Sequence, residues 1–212
     1  DYRVSNNSPG VEQLQNVLDN TNPLQLSIGN PFLRQDTRHS ISLRYSTTNQ
    51  SNYSSLFVLF GGTITQDYIA YEKIIAVKDT IIKGVLLNPG VQLQTPVNLD
   101  GYKNFRSMVT YSTPIDFLYS NFNLNMSYNF SNTPVIQNGV KGNTRSSSIS
   151  LGVVFSSNIS EDIDFSISST NIYNNIKTDF KQTGKNNYFS QRTKVKFYYN
   201  IFDGFIFQTD FD

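Results

Sequence analysis

Strict alternation of apolar and polar side chains constrains this chain more than any other feature, and residues 121–130 show it best. Phe122, Leu124, Met126, Tyr128 and Phe130 fall on one side; Asn121, Asn123, Asn125, Ser127 and Asn129 fall on the other. A period of two is that of an extended strand whose faces meet different surroundings. The pattern returns with Ile41, Leu43 and Tyr45, with Ile149, Leu151, Val153 and Phe155, and with Ile163, Phe165 and Ile167. Val195, Phe197 and Tyr199 repeat it, as do Phe205, Phe207 and Phe211. Eight strands are predicted, over residues 38–47, 53–65, 98–112, 117–131, 145–157, 162–176, 187–200 and 204–212, with a stub at Tyr2–Ser5. The second and third are less regular: Leu56–Phe60 is continuously apolar, and the segment from Asn98 alternates poorly.

The connections alternate in length. Short ones fall near Thr48–Asn52, Pro114–Tyr119, Asn158–Asp162 and Phe202–Gly204; long ones run over Asn6–Thr37, Gln66–Val97, Asn132–Thr144 and Lys177–Asn186. The expected fold class is therefore all-β: an antiparallel meander with short turns on one side and long loops on the other, part of a transmembrane β-barrel. Residues 1–212 read as a single region. The chain opens Asp-Tyr-Arg in mid-pattern, as a mature chain or a piece of a longer one would.

Composition decides which β architecture suits the pattern. Charged residues are 16% of the chain, while Asn and Ser contribute 25 each, so the polar strand faces are mostly uncharged. A soluble sandwich would show more Lys and Glu to bulk water; Ser, Asn, Thr and Gly suit a water-filled or plugged lumen. Tyr45, Tyr53, Tyr111, Tyr119, Tyr128, Tyr188 and Tyr199 lie near strand ends, where barrels carry aromatic girdles. The 16 Phe and 13 Tyr argue against disorder, and the wealth of Asn, Ser, Thr, Tyr and Phe argues against a helical bundle. A soluble β-sandwich binding module stays open as an alternative.

Chemistry-bearing residues are few. There is no Cys and a single His, His39, which excludes a thiolate site, a cysteine nucleophile and a multi-His metal site within the chain. His39 has no Ser or Asp partner at catalytic spacing and reads as structural. Glu161, Asp162 and Asp164 lack the spacing of a calcium loop. Asp210 and Asp212 have nothing around them to complete a glycosidase pair. Gly61-Gly62 is no phosphate loop and marks a bulge or close packing. No catalytic residue, metal site or cofactor is expected, and the chain is not expected to be an enzyme. A net charge of +1 implies no nucleic-acid partner.

Two sets of residues remain as candidates. Arg44, Arg106, Arg192, Lys194 and Lys196 fall on polar strand faces and are expected to be lumen-facing charges. The long connection 66–97 is rich in apolar residues and is expected to fold as a hairpin, Ile69–Val77 with Ile81–Val91 across Lys78-Asp79-Thr80. Its Tyr68, Tyr71, Lys73 and Lys78 are the expected ligand-binding residues, because binding tends to live on loops held by a rigid scaffold. Val11–Leu18 has helical spacing and is expected to form a short rim helix.

Asn22-Pro-Leu-Gln-Leu-Ser-Ile-Gly-Asn-Pro-Phe-Leu-Arg-Gln-Asp36, followed by His39-Ser-Ile-Ser-Leu-Arg-Tyr45, resembles a segment in the barrels of TonB-dependent receptor-like outer-membrane proteins, the large Bacteroidetes barrels in particular. Ser8-Pro-Gly-Val-Glu-Gln-Leu-Gln15, Thr95-Pro-Val-Asn-Leu-Asp-Gly-Tyr102 and residues 156–165 are similar to the same group. Gln35-Asp36 departs from the Pro-Glu of many relatives. The resemblance implies residence in the outer membrane, contact with its lipid, and a parent barrel of about twenty-two strands, of which residues 1–212 would be an internal or C-proximal part with no plug domain among them. It also implies a plug domain and TonB as partners, and uptake of a small-molecule, glycan or peptide ligand. A non-transporting structural or adhesive barrel is the alternative within the same architecture.

Overall fold

The computed structural model describes residues 1–157, 163–180, 186–202 and 205–211. Its strands, among the described residues, are β1 (Tyr2–Asn7), β2 (Leu18–Asp19), β3 (Gln25–Ile28), β4 (Asp36–Asn49), β5 (Ser54–Gln66), β6 (Tyr68–Ile75), β7 (Thr80–Ile82), β8 (Val85–Leu87), β9 (Gln92–Leu99), β10 (Tyr102–Ile115), β11 (Ser120–Gln137), β12 (Val140–Ser157), β13 (Ile163–Thr178), β14 (Asn186–Phe202) and β15 (Phe205–Phe211). One helical turn, α1 (Val11–Leu14), and a 3-10 turn at Asp116–Leu118 complete the set.

The main body is one antiparallel wall in the order β1-β4-β5-β10-β11-β12-β13-β14-β15. Its seven central strands run 13 to 18 residues, longer than the ~9–11 a membrane-spanning strand needs. Among the described residues β1 pairs only with β4 and β15 only with β14, so the wall has two open edges.

Register gives the wall two consistent faces. Tyr45, Val58, Val109, Met126 and Leu151 stand opposite one another across five strands. On the other face Ser42, Gly61, Arg106, Asn129 and Ser148 do the same. The apolar face is uncovered: Leu43 is 63% exposed, Ile149 52% and Phe211 66%. A soluble sandwich would bury this face under a second sheet, and no described element packs there. Tyr45, Tyr111, Tyr128 and Tyr199 share the apolar face, whereas Tyr188, opposite Asn174, lies on the polar one.

The buried core lies elsewhere, in an extension at the end of the wall where the long connections sit. There β2, β3, β9 and β6 pair in that order, and β6 then runs parallel to the tip of β11 through Glu72 opposite Ile136 and Lys73 opposite Gln137. β10 pairs with β11 only as far as Lys103 opposite Asn132, four residues short of Ile136, so β6 takes β10's place beside β11 and carries the wall upward. Leu26, Ile28, Ala76, Leu87, Val91 and Leu93 form the core, with Leu87 and Leu93 fully buried.

Four local expectations are corrected. The connection 66–97 pairs β6 with β9, Tyr68 opposite Leu99 through Ile75 opposite Gln92, and only its tip is a hairpin, β7 with β8 across Lys83-Gly84. Positive φ at Lys83 and Gly84 suits the tight turn there, which Lys78-Asp79-Thr80 does not make. Residues 98 and 99 accordingly end β9 rather than start β10. The expected loop 132–144 is a two-residue Asn138-Gly139 turn, both residues at positive φ, joining strands that run to Gln137 and from Val140. The helix stops at Leu14, and Leu18 is already extended in β2. Glu161, Asp162 and Asp212 lie outside the described residues.

Candidate functional site

The extension is fixed to the wall by a polar junction. The Arg34 amide donates to Asn98 Oδ1 at 2.8 Å, and Asn98 Nδ2 donates to the carbonyls of Arg34 (2.9 Å) and Asp67 (2.7 Å). The Asp67 amide donates to Asp100 Oδ1 at 2.9 Å. Asn30 adds a second tie, its side chain donating to the Pro96 carbonyl at 3.1 Å while its Oδ1 accepts the Phe32 amide. Gly29 beside it tolerates no side chain: a Cβ there would stand 2.2 Å from the Gln15 carbonyl oxygen. The Gly29-Asn30-Pro31 stretch is thus the strap that holds the segment before β4 against α1 and β9.

Below the extension, on the continuation of the polar face, lies a groove of about 300 Å³. Tyr71 and Lys73 line it from β6; Val135, Gln137, Thr144, Ile176 and Phe180 line it from β11, β12, β13 and the segment after β13. Tyr71 is 43% exposed, and its hydroxyl accepts a hydrogen bond from Gln13 Nε2 at 3.1 Å. Of the four residues expected to bind ligand, only Tyr71 and Lys73 meet. Tyr68 belongs to the opposite face of β6, stacked on Tyr102, and burial first, then Tyr102 and Asp36, raise its hydroxyl pKa. Lys78 is exposed in the segment before β7, away from the groove.

The rim opposite β6 is held by Asp179. Its carboxylate accepts the Asn143 amide at 2.9 Å and pairs with Arg145 at 3.0 Å. The Asn143 amide is the main cause that keeps this carboxyl below its ordinary range.

The five expected lumen charges share one face of the wall. Arg44 stands opposite Leu59, Leu59 opposite Met108, and Met108 opposite Ser127, with Arg106 two residues from Met108. Ser127 leads through Ser150 and Ile172 to Ser190, in step with Arg192, Lys194 and Lys196 on β14. Lys196 faces Asp210 at 3.8 Å. Sequence reading missed two members of this face, Arg3 opposite Ser40 and Arg38 opposite Thr65, although each keeps the parity of its strand. No group of His, Cys, Asp and Glu able to hold a metal ion occurs among the described residues.

A long-stranded sheet with one continuous apolar face open to its surroundings, one polar face, and its core in loops at a single end is the wall of a transmembrane β-barrel. The chain belongs to the outer membrane protein beta-barrel family, whose model matches residues 1–205. Its place is the outer membrane. No curated protein and no solved structure matches the chain.

Proposed function

We propose that this wall is part of a larger TonB-dependent receptor-like barrel that binds a ligand at its outer mouth and passes it inward along the polar face. The observation that carries the reading is the continuity of one face: the groove of Tyr71 and Lys73 opens onto the same side of the sheet as Arg44 and Arg106. A mouth that binds and a charged, water-compatible lining below it are what uptake requires. The two open edges support membership in a wider barrel, because unpaired strand edges are not tolerated in lipid. The resemblance of residues 22–45 to receptor-like barrels supplies the TonB and plug partners of the proposal. The proposed role is binding and passage: the groove and the arginine-bearing face below it offer contacts to a ligand.

The test is genetic. Cells lacking the gene are grown on a panel of scarce glycan, peptide and metal-chelate sources, beside cells lacking TonB. Loss of growth on one source in both strains, restored by the wild-type gene and poorly by Tyr71→Ala/Lys73→Ala, is expected. A general envelope defect without nutrient specificity would replace this reading with a structural barrel.

A further inference from the structure

We propose that the polar face carries an oxyanion-binding site built from Arg3, Arg38, Arg44 and Arg106, which takes a ligand bearing two or more clustered carboxylates or phosphates. The inference rests on the reading of this face as the passage lining, and it names the ligand class. The four arginines line one open cavity of about 700 Å³, spanning β1, β4, β5 and β10. Arg106, Gly61 and Ser42 share one row of the sheet; Arg3, Ser40, Thr63 and Asn104 share the next.

Three features make this more than scattered lumen charge. First, among the described residues none of the four guanidinium groups makes an ion pair or hydrogen bond. Asp1 is the one acid lining the cavity, and Asp36 lies one step beyond Arg38 on β4, buried. Four positive charges against one carboxylate in the same cavity leave an excess that a monoanion would not neutralise. Second, the site is shaped. Gly61 leaves room for Arg106 to lie across β5: a Cβ at position 61 would stand 3.0 Å from Arg106 Nε and 3.2 Å from its Cγ. Third, the surroundings are neutral donors. Ser40, Ser42, Thr63 and Asn104 lie between the arginines, and planar guanidinium forks match carboxylate and phosphate oxygens two at a time.

The test is a calorimetric titration of the intact protein in detergent at fixed ionic strength, with citrate and pyrophosphate as probes and acetate as the monoanion control. Saturable binding of citrate or pyrophosphate is expected, with none for acetate; which of the two binds tells carboxylate from phosphate ligands. Arg44→Gln and Arg106→Gln each weaken binding about tenfold. Gly61→Val keeps every charge but fills the space across which Arg106 lies, and weakens binding. Absence of saturable binding in the wild type, as when an acidic segment of the protein itself fills the site, would overturn the proposal. So would affinity indifferent to Arg44→Gln and Arg106→Gln, or to Gly61→Val. Binding in detergent does not depend on uptake, so the site and the transport reading can fail separately.

Discussion

Tyr68 stacks on Tyr102 with ring centroids 4.5 Å apart and planes within 15° of parallel, joining the first residue of β6 to the first residue of β10. At this point the wall hands over from β10 to β6 as the neighbour of β11. The pair therefore bears on the extension and leaves the long ladders below untouched. Tyr102→Ala removes a contact worth about 0.5–1.5 kcal/mol beyond its buried area. Hydrogen exchange is expected to rise in β6 and β9 while β11–β13 stay protected. Equal loosening of all these strands would mean that the pair is not a local hinge.

Much of the wall was legible because its two faces meet two different solvents. Ile149, Leu151, Val153 and Phe155 point one way while Ser148, Ser150 and Gly152 point the other, and no tertiary knowledge is needed to see it. The extension was not legible in the same way. Ala70 and Ile74 meet protein on one side of β6, while Tyr71 and Lys73 line a groove on the other, so apolar residues stop marking one face. Its pairing is set by long-range ties, Asn98 to Arg34 and Asp67 to Asp100, that local pattern does not contain. The Asn138-Gly139 turn carried a clear hairpin signal, but Pro134-Val135-Ile136 breaks the alternation that would have led up to it. At the candidate site, parity was enough to place Arg44 and Arg106 on one face; the groove under Tyr71 needed the parallel pairing of β6 with β11.

The core of the extension is small, so one side chain matters. Leu93 is fully buried among Leu26, Leu87 and Val91. Leu93→Ala should cost about 2–5 kcal/mol of that layer's stability. Limited proteolysis reads it directly: cleavage after Lys78 or Lys83 is expected to accelerate strongly, with the wall remaining folded. Unchanged cleavage would show that the layer does not depend on this core.

Gly139 has φ of 77°, and a Cβ there would meet nothing within 4 Å. A substitution is therefore opposed only by the backbone, at about 1–2 kcal/mol. Gly139→Val should destabilise the β11–β12 hairpin by that amount in urea titrations, and Gly139→Asn by less, since Asn tolerates the left-handed region. Equal costs for the two variants would assign the effect to something other than backbone conformation.

Asp179 gives the rim a pH dependence. Its carboxyl is held below the ordinary carboxylate range, chiefly by the Asn143 amide, so the ionised form favours the folded rim. That contribution is fully present above the unfolded value and is lost as pH falls through the folded one. Proteolytic sensitivity of the segment after β13 should therefore be flat at neutral pH and rise only at or below the ordinary carboxylate range. Asp179→Asn should abolish this acid-dependent change, because the carboxylate that responds to protons is gone.

The two faces of β11 separate a membrane wall from any water-soluble sheet. Met126 and Ser127 are neighbours in sequence and point to opposite sides. If the apolar face meets lipid, Met126→Arg places a charge in hydrocarbon and costs about 2–4 kcal/mol near the bilayer centre. Ser127→Arg places the same charge on the polar face, between Met108 and Ser150, where water can reach it and the cost is small. Unfolding by urea from lipid vesicles should separate the two variants by roughly that margin. In a sheet with water on both sides, arginine would be tolerated at either position. The difference between adjacent residues is thus a direct measure of which side of the wall is wet.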